Sequence, residues 1–225
     1  MANKIDNSGA ASEERSKHNS AAACGPWDVS KCMEIYEKWS HQYDEDFSEE
    51  RYRAPFYAAE AVAKLLPSDR RNHVRILDVA AGTGKIGKHL ADMGFTEIDA
   101  LDASSDMLKV LSSKGHYKNI YQDTVGDHET VIAENTYDLT TMSGGFVEGH
   151  LPITALDEML RVTKKGGYVV ICMREEFLQS VPDYRRLEPH AESLEAEGRW
   201  KLISREQRSN HFFDQSGLVF TWQKL

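Results

Sequence analysis

The run Asp78-Val-Ala-Ala-Gly-Thr-Gly-Lys-Ile-Gly-Lys-His89 limits this chain more than any other stretch. It follows the apolar segment Val74–Val79 and leads into the amphipathic segment Lys85–Met93. It therefore reads as a strand, a glycine turn and a helix in direct succession. Glycine accepts the left-handed backbone that tight turns need and leaves room for a ligand to approach the main chain. The helix beyond presents unpaired N–H groups and the positive end of its dipole to the turn. An inert strand-to-helix turn also favours glycine, but three glycines at this spacing point to an anion- or nucleotide-binding loop.

The segments around the loop predict what holds it. Glu97–Leu101, Asn119–Gln122, Tyr137–Met142 and Gly167–Met173 read as further strands, with helices over Ser104–Ser113 and Ile153–Val162 between them. Strands alternating with helices predict a parallel sheet covered on both faces. Beyond it, Asp183–Glu197 reads as a charged helix. Trp200–Ile203 and Leu218–Trp222 read as strands with no helix between, hence an antiparallel pair at the sheet edge. Upstream, Met33, Tyr36, Trp39 and Tyr43 recur at helical spacing behind a possible cap at Asp28 or Ser30, and a second helix runs from Pro55 to Leu66 before Pro67 stops it. The expected fold is an α/β, Rossmann-like, doubly wound domain over 27–225: a helical cap over 27–73, then a seven-stranded, mostly parallel sheet over 74–225. Residues 1–26, rich in Ala, Ser and Asn and without an apolar run, are expected to form a disordered N-terminal tail.

Three nucleotide templates overlap at the loop. Gly82-x-Gly84-x-x-Gly87, with Asp102 twenty residues past Gly82, fits a dinucleotide fingerprint. Gly82-x4-Gly87-Lys88 approaches a P-loop, but His89 stands where Ser or Thr would ligate magnesium. The third is the S-adenosylmethionine loop, an acid near the strand end followed by small-x-Gly-x-Gly. Asp78, Ala80, Gly82, Thr83 and Gly84 fill it, with Ala80 in place of the usual first glycine. S-adenosylmethionine has a cationic amino-acid end where a dinucleotide has a second phosphate, so a carboxylate at Asp78 would favour the former and repel the latter.

Four stations in order carry a family resemblance. They are Ile76-Leu-Asp-Val-Ala-Ala-Gly-Thr-Gly84; Ala100-Leu-Asp-Ala-Ser104 with Met107-Leu108; Tyr137-Asp138-Leu139; and Arg161-Val-Thr-Lys-Lys-Gly-Gly167, where Lys165 replaces the family's proline. Over about Tyr36 to Met173 the chain resembles the class I S-adenosylmethionine-dependent methyltransferases. Tyr36-Glu-Lys-Trp39, Tyr43-Asp-Glu-Asp46 and Tyr52-Arg-Ala-Pro55 are similar to the methyltransferase-like group encoded in the Williams–Beuren syndrome region. The resemblance implies S-adenosyl-L-methionine as donor, S-adenosyl-L-homocysteine as product, and an in-line displacement at the sulfonium methyl.

It also implies roles for residues. Asp102 would accept hydrogen bonds from both ribose hydroxyls. Ala103 and Met107 would line the adenine, and Asp123 would meet its amino group. Plainer readings stand beside these: Asp102 as a helix cap, Met107 as core, and Asp123, near Asp127, as a solvated loop acid. Met142 and Ser143 lead into Gly144-Gly145 after the fourth strand, where methyl and acceptor meet. Trp39 and Tyr43 would form a lid, with Tyr43 and Arg53 near the donor's methionine end, or would pack helix core. His150, Glu148 and Tyr43 are the candidate general bases, although a loop histidine beside a glutamate is more often solvated. The acidic stretch Asp44–Glu50 reads as a solvated face.

No spacing of Cys, His, Asp and Glu suggests a metal. Three cysteines without a framework or CxxC pair fit a reducing compartment, so the expected location is cytoplasmic with nuclear access left open. A net charge of −9, from 27 Lys+Arg against 36 Asp+Glu, speaks against a nucleic-acid partner. So does the absence of Asn/Asp-Pro-Pro-aromatic and Pro-Cys motifs. No apolar run is long enough to span a membrane. The expected protein is a monomer that methylates a small molecule, with a protein acceptor open. Three other classes compete: a donor-binding sensor or scaffold without turnover, a nicotinamide-dependent oxidoreductase, and a magnesium nucleotide hydrolase. The oxidoreductase is disfavoured because no Tyr-x-x-x-Lys pair occurs, and the hydrolase because of His89.

Overall fold

In the computed structural model of the chain, which describes residues 13, 14, 16–18 and 29–225, seven strands form one sheet. They are β1 (Ile76–Val79), β2 (Ile98–Asp102), β3 (Ile120–Gln122), β4 (Tyr137–Ser143), β5 (Thr163–Arg174), β6 (Trp200–Phe212) and β7 (Gln215–Lys224). Their order across the sheet is β3-β2-β1-β4-β5-β7-β6. The first five are parallel, whereas β7 runs antiparallel between β5 and β6. The expected fold class, with its antiparallel edge, is the observed one.

Helices α1 (Val29–Trp39), α2 (Tyr43–Asp46) and α3 (Ala54–Leu65) precede the sheet; α4 (Lys85–Asp92), α5 (Ser105–Lys114) and α6 (Ala155–Val162) link its parallel strands, and α7 (Phe177–Ser180) and α8 (Leu187–Ala196) lead to β6. Side chains alternate across a strand, so β1 feeds two cores. Leu77 and Val79 pack with Leu156, Met159 and Trp200 on one face. Ile76 packs with Val62, Ile86 and Leu90 on the other. Each such aliphatic side chain, buried completely, stabilises the fold by about 1.5–3 kcal/mol before entropy is counted.

Strand connections turn one way from β1 to β3 and the other way from β4 onward, so the β1/β4 boundary is a topological switch point. A crevice opens there beyond the carboxyl ends of the strands. The glycine turn, Asp102 and Ser143 all stand at that end.

Three differences from the sequence reading have physical causes. The edge strands run further than Trp200–Ile203 and Leu218–Trp222, because residues 204–210 alternate exposed and half-exposed and show no apolar pattern. The expected helix over Asp183–Glu197 breaks into a 3₁₀ turn, Tyr184–Arg186, followed by α8. The acidic stretch is a solvated face only at Glu45, Glu49 and Glu50, which are exposed. Asp46 is fully buried and accepts from the Trp39 indole N–H at 2.8 Å.

The cap is tied to the far end of the sheet. Tyr52 bridges to Phe212, the Arg53 N–H donates to His211 O at 3.0 Å, and the Tyr57 hydroxyl donates to Ser209 O at 2.9 Å. A register shift between Arg208 and Phe212, with Asn210 inside it at φ +52° and Phe213 just after it at φ +51°, turns this end of β6 toward the cap. Of the first 26 residues, 13, 14 and 16–18 are helical, and Arg51 donates to Ser16 Oγ at 3.2 Å. The rest of the expected tail lies outside the described residues.

His211 is 2% exposed, and neither ring nitrogen has a hydrogen-bond partner among the described residues. Burial pushes the imidazole down to about 3, against an ordinary value near 6.5. Unfolded, the ring takes its proton near pH 6.5; folded, it does not until about pH 3. Stability is therefore complete above 6.5 and falls as pH drops, by about 1.4 kcal/mol per unit. Between about pH 7.5 and about pH 5, wild type should lose about 2 kcal/mol more than His211→Phe in urea unfolding. Equal losses would show that the ring is protonated in the native state.

Candidate active site

At the switch point lies a cavity of about 720 Å³, within the range of small-molecule sites. One end is built from the carboxyl ends of β1 and β2. Asp102 Oδ2 accepts from the Gly82 N–H and Oδ1 from the Ser104 N–H, both at 2.8 Å. Burial raises the Asp102 carboxyl above its ordinary range, and those two N–H groups act against the rise. A carboxylate has about four lone-pair positions, so two remain for a ligand. Ser104 caps α5 by accepting from Met107 N at 3.3 Å, which separates the capping role from Asp102 and leaves its carboxylate beside the cavity.

The turn between β1 and α4 is left-handed at Ala80 (φ +53°), Gly82 (φ +54°) and Gly84 (φ +85°). A Cβ added at Gly82 would meet nothing within 4 Å, so the main chain there is open to a ligand. Alanine in the left-handed region costs roughly 1 kcal/mol, a cost the more usual glycine avoids at position 80.

Several predicted residues line this cavity together: Tyr43, Ala80, Gly82, Asp102, Ala103 and Met107. Asp123, Ser143, Glu148 and His150 line it as well. Asp123 also accepts from Thr124 N and lies 2.9 Å from His128 Nε2, which in turn bonds Asp127.

The others stand elsewhere. Asp78 is fully buried behind the loop. Its Oδ2 accepts from the Tyr117 hydroxyl at 2.6 Å, its Oδ1 has no partner among the described residues, and burial pushes the carboxyl up to about 8. Thr83 is buried and donates to Asp44 Oδ1 at 2.7 Å. Gly84 abuts Tyr117 and Leu111. Met142 is buried beneath Gly145, and Arg53 occupies the residue before α3 with its guanidinium 5.2 Å from the Tyr57 ring centroid. Trp39 sits in an aromatic cluster, 5.0 Å from both Tyr43 and Phe47, over a smaller cavity shared with His211.

The cap reaches the loop through Asp44. Its carboxylate meets Thr83, Lys85 and Lys114. Burial opposes its ionisation, but hydrogen bonds from Lys114 and Thr83 hold the carboxyl below its usual range.

Sequence reasoning missed Cys32, Tyr36 and Tyr184. Tyr36 lines the cavity and meets His150; Cys32 Sγ donates to Gly149 O at 3.2 Å. Tyr184 pins the same loop, its one hydroxyl hydrogen shared between Val147 O and Leu151 O at 2.7 and 2.9 Å. Of these, only Tyr36 was hinted at, by its helical spacing and by the Tyr36-Glu-Lys-Trp39 motif. Among the described residues, no group of three potential metal ligands occurs and no helix is long and apolar enough to cross a membrane.

Residues 77–171 match a family model described as a methyltransferase domain. Methyltransferase-like protein 27 of Homo sapiens is 32% identical over 181 residues, covering 80% of this chain and 72% of that protein. The chain belongs to the S-adenosylmethionine-dependent methyltransferases.

This methyltransferase is also 42% identical over 99 residues to a demethylmenaquinone methyltransferase of Renibacterium salmoninarum, covering 43% of the chain and only 40% of that relative. Among solved structures, an S-adenosylmethionine-dependent methyltransferase from Aquifex aeolicus aligns with TM-score 0.59 and 17% identity over 84% of this chain and 98% of that one. The [4+2]-cyclase SpnF aligns with TM-score 0.67 and 15% identity over 88% and 96%. At these identities the structural matches establish the fold alone. The methyltransferase's donor is S-adenosylmethionine by family, and the chemistry of the cavity fits it. Asp102 has acceptor capacity to spare for a diol, and the Gly82 backbone is open.

Proposed function

We propose that this methyltransferase transfers the methyl group of S-adenosylmethionine to a small, uncharged acceptor held in the same cavity. The observation that carries the reading is the cavity's two-ended construction. Asp102 and the open Gly82 backbone stand at one end, and the Ser143-Gly144-Gly145 turn with Tyr36 and His150 at the other. Asp102 would hold the ribose, Ala103 and Met107 the adenine, and Asp123 its amino group. Tyr43 would lie over the methionine end. Asp78 would act indirectly, holding Tyr117 behind the glycine turn.

The donor supplies an activated methyl on a sulfonium, so the protein contributes mainly proximity, alignment and exclusion of water. Leu101, Val125, Leu151, Pro152 and Val181 line the same cavity with apolar side chains, which suits a small acceptor of low charge. The bacterial relatives named for demethylmenaquinone methylation support the same class.

Calorimetry against S-adenosylmethionine, S-adenosylhomocysteine, NAD and ATP, followed by a small-metabolite screen with labelled donor, tests the reading. Binding of the first two and label transfer to a small molecule are expected. Binding of NAD or ATP alone would overturn it, and donor binding without transfer to any acceptor would favour a sensor or scaffold.

A further inference from the structure

His150 sits in the loop after β4 with both ring nitrogens engaged. Nδ1 lies 3.2 Å from the Glu148 carbonyl oxygen. A carbonyl can only accept, so Nδ1 carries the hydrogen and Nε2 holds a lone pair. Nε2 is 2.8 Å from the Tyr36 hydroxyl, which must therefore donate to it. The rings meet edge to face with centroids 5.4 Å apart. One turn earlier on α1, Cys32 holds the neighbouring Gly149 carbonyl, so the helix fixes this loop at two successive points. Burial lowers the imidazole below its ordinary value, which keeps it neutral near pH 7. The other titratable groups lining the same cavity are Cys32 and Tyr36 on α1, Tyr43 on α2, Asp102 at the end of β2, Asp123 and Asp127 after β3, Glu148 on its own loop, and Asp183 with Tyr184 before α8.

We propose that Tyr36 and His150 form a proton relay that takes the proton of a hydroxyl-bearing acceptor, and that the acceptor hydroxyl is of the acidic, phenol or enol type. This rests on the methyl-transfer reading above. In the step, the acceptor oxygen bonds to the methyl carbon as the carbon–sulfur bond breaks and its electron pair stays on sulfur. The acceptor proton passes to the Tyr36 oxygen while the Tyr36 proton passes to His150 Nε2. Neutral hydroxyl, neutral imidazole and sulfonium become methyl ether, imidazolium and thioether, and the imidazolium later releases its proton to solvent.

The chemistry selects the acceptor class. An amine attacks through its own lone pair and sheds its proton afterwards, so it needs no relay. A phenol with pKa near 10 lies about 3.5 units above an ordinary imidazole, whereas an alcohol with the acidity of water, 15.7, lies about nine above. A histidine-terminated relay can serve the first and is a poor match for the second.

The test uses the full chain saturated with S-adenosylhomocysteine, with phenol and its methyl ether anisole as probes. Phenol should bind at least about fivefold tighter than anisole, because only phenol can donate to Tyr36. Tyr36→Phe should abolish that preference. His150→Gln keeps a group able to accept from Tyr36 and should retain it. With labelled donor, His150→Gln should methylate phenol at least about a hundredfold more slowly, within the usual range for general bases. The wild-type rate should rise with pH through the imidazole midpoint and then level, whereas the His150→Gln rate should keep rising. S-adenosylhomocysteine affinity should stay within about threefold in both variants. Equal binding of phenol and anisole, wild-type turnover in His150→Gln, or no transfer to phenol by wild type would each overturn the relay. Failure to bind S-adenosylhomocysteine would instead overturn the methyl-transfer reading beneath it.

Discussion

Asp102→Ala is expected to weaken S-adenosylmethionine binding by about 1.5–3 kcal/mol, roughly tenfold to a hundredfold. The carboxylate stands at the end of β2 beside the cavity with one N–H bond on each oxygen, so each oxygen keeps a further acceptor position. Hydrogen bonds to a charged group stabilise by more than neutral ones do, and a ribose diol can make two of them. Alanine also removes the acceptor for the Gly82 N–H, which loosens the turn against which the donor would rest. Asp102→Asn should lose less, because one carbonyl oxygen survives. Titration calorimetry measures both, with the thermal midpoint as a check on folding. Unchanged affinity in a folded Asp102→Ala protein would remove this residue from the donor site.

The largest stability effect should come from Gly87→Ala, a substitution that would ordinarily favour a helix. A Cβ there would stand 2.2 Å from Tyr117 Cζ and 2.3 Å from its hydroxyl oxygen. The ring cannot yield freely. Its hydroxyl accepts from Gly87 N at 2.9 Å and donates to the buried Asp78 carboxyl. Moving it leaves Asp78 with neither oxygen paired, a cost of about 1–3 kcal/mol that adds to the strain of overpacking. A total near 3 kcal/mol should lower the melting temperature by roughly 6–12 °C for a chain of this size. A wild-type midpoint would mean that Tyr117 does not anchor the loop. The third glycine of the apparent dinucleotide fingerprint thus serves a tyrosine behind the turn, while Gly82 faces the open side.

What could be read from the sequence divides along a physical line. The glycine turn, the five parallel strands and Asp102 follow from local pattern, since neighbours in sequence create them. The antiparallel edge was readable from two apolar cores, but not its length, because the solvent-facing residues of β6 carry no apolar signal. Tyr117 lies 39 residues from Asp78, and Tyr36 lies 114 residues from His150, so only the folded topology brings each pair together. Asp44 and Asp46 misled for a related reason. A run of acids looks solvated until the basic and indole partners that satisfy it, Lys85, Lys114 and Trp39, arrive from other elements.

The position of β7 between β5 and β6 has a consequence for synthesis on the ribosome. The chain emerges from its N-terminus, so the parallel strands can pair while the outer edge of β5, with Val169, Val170 and Ile171, is still open. An unpaired apolar edge invites association with other chains until it is covered. The same late hairpin carries Ser209, His211 and Phe212, the partners of Tyr57, Arg53 and Tyr52 in the cap. A growing chain therefore completes its glycine loop well before it can close the cap over it, and the two liabilities end together when β7 is released.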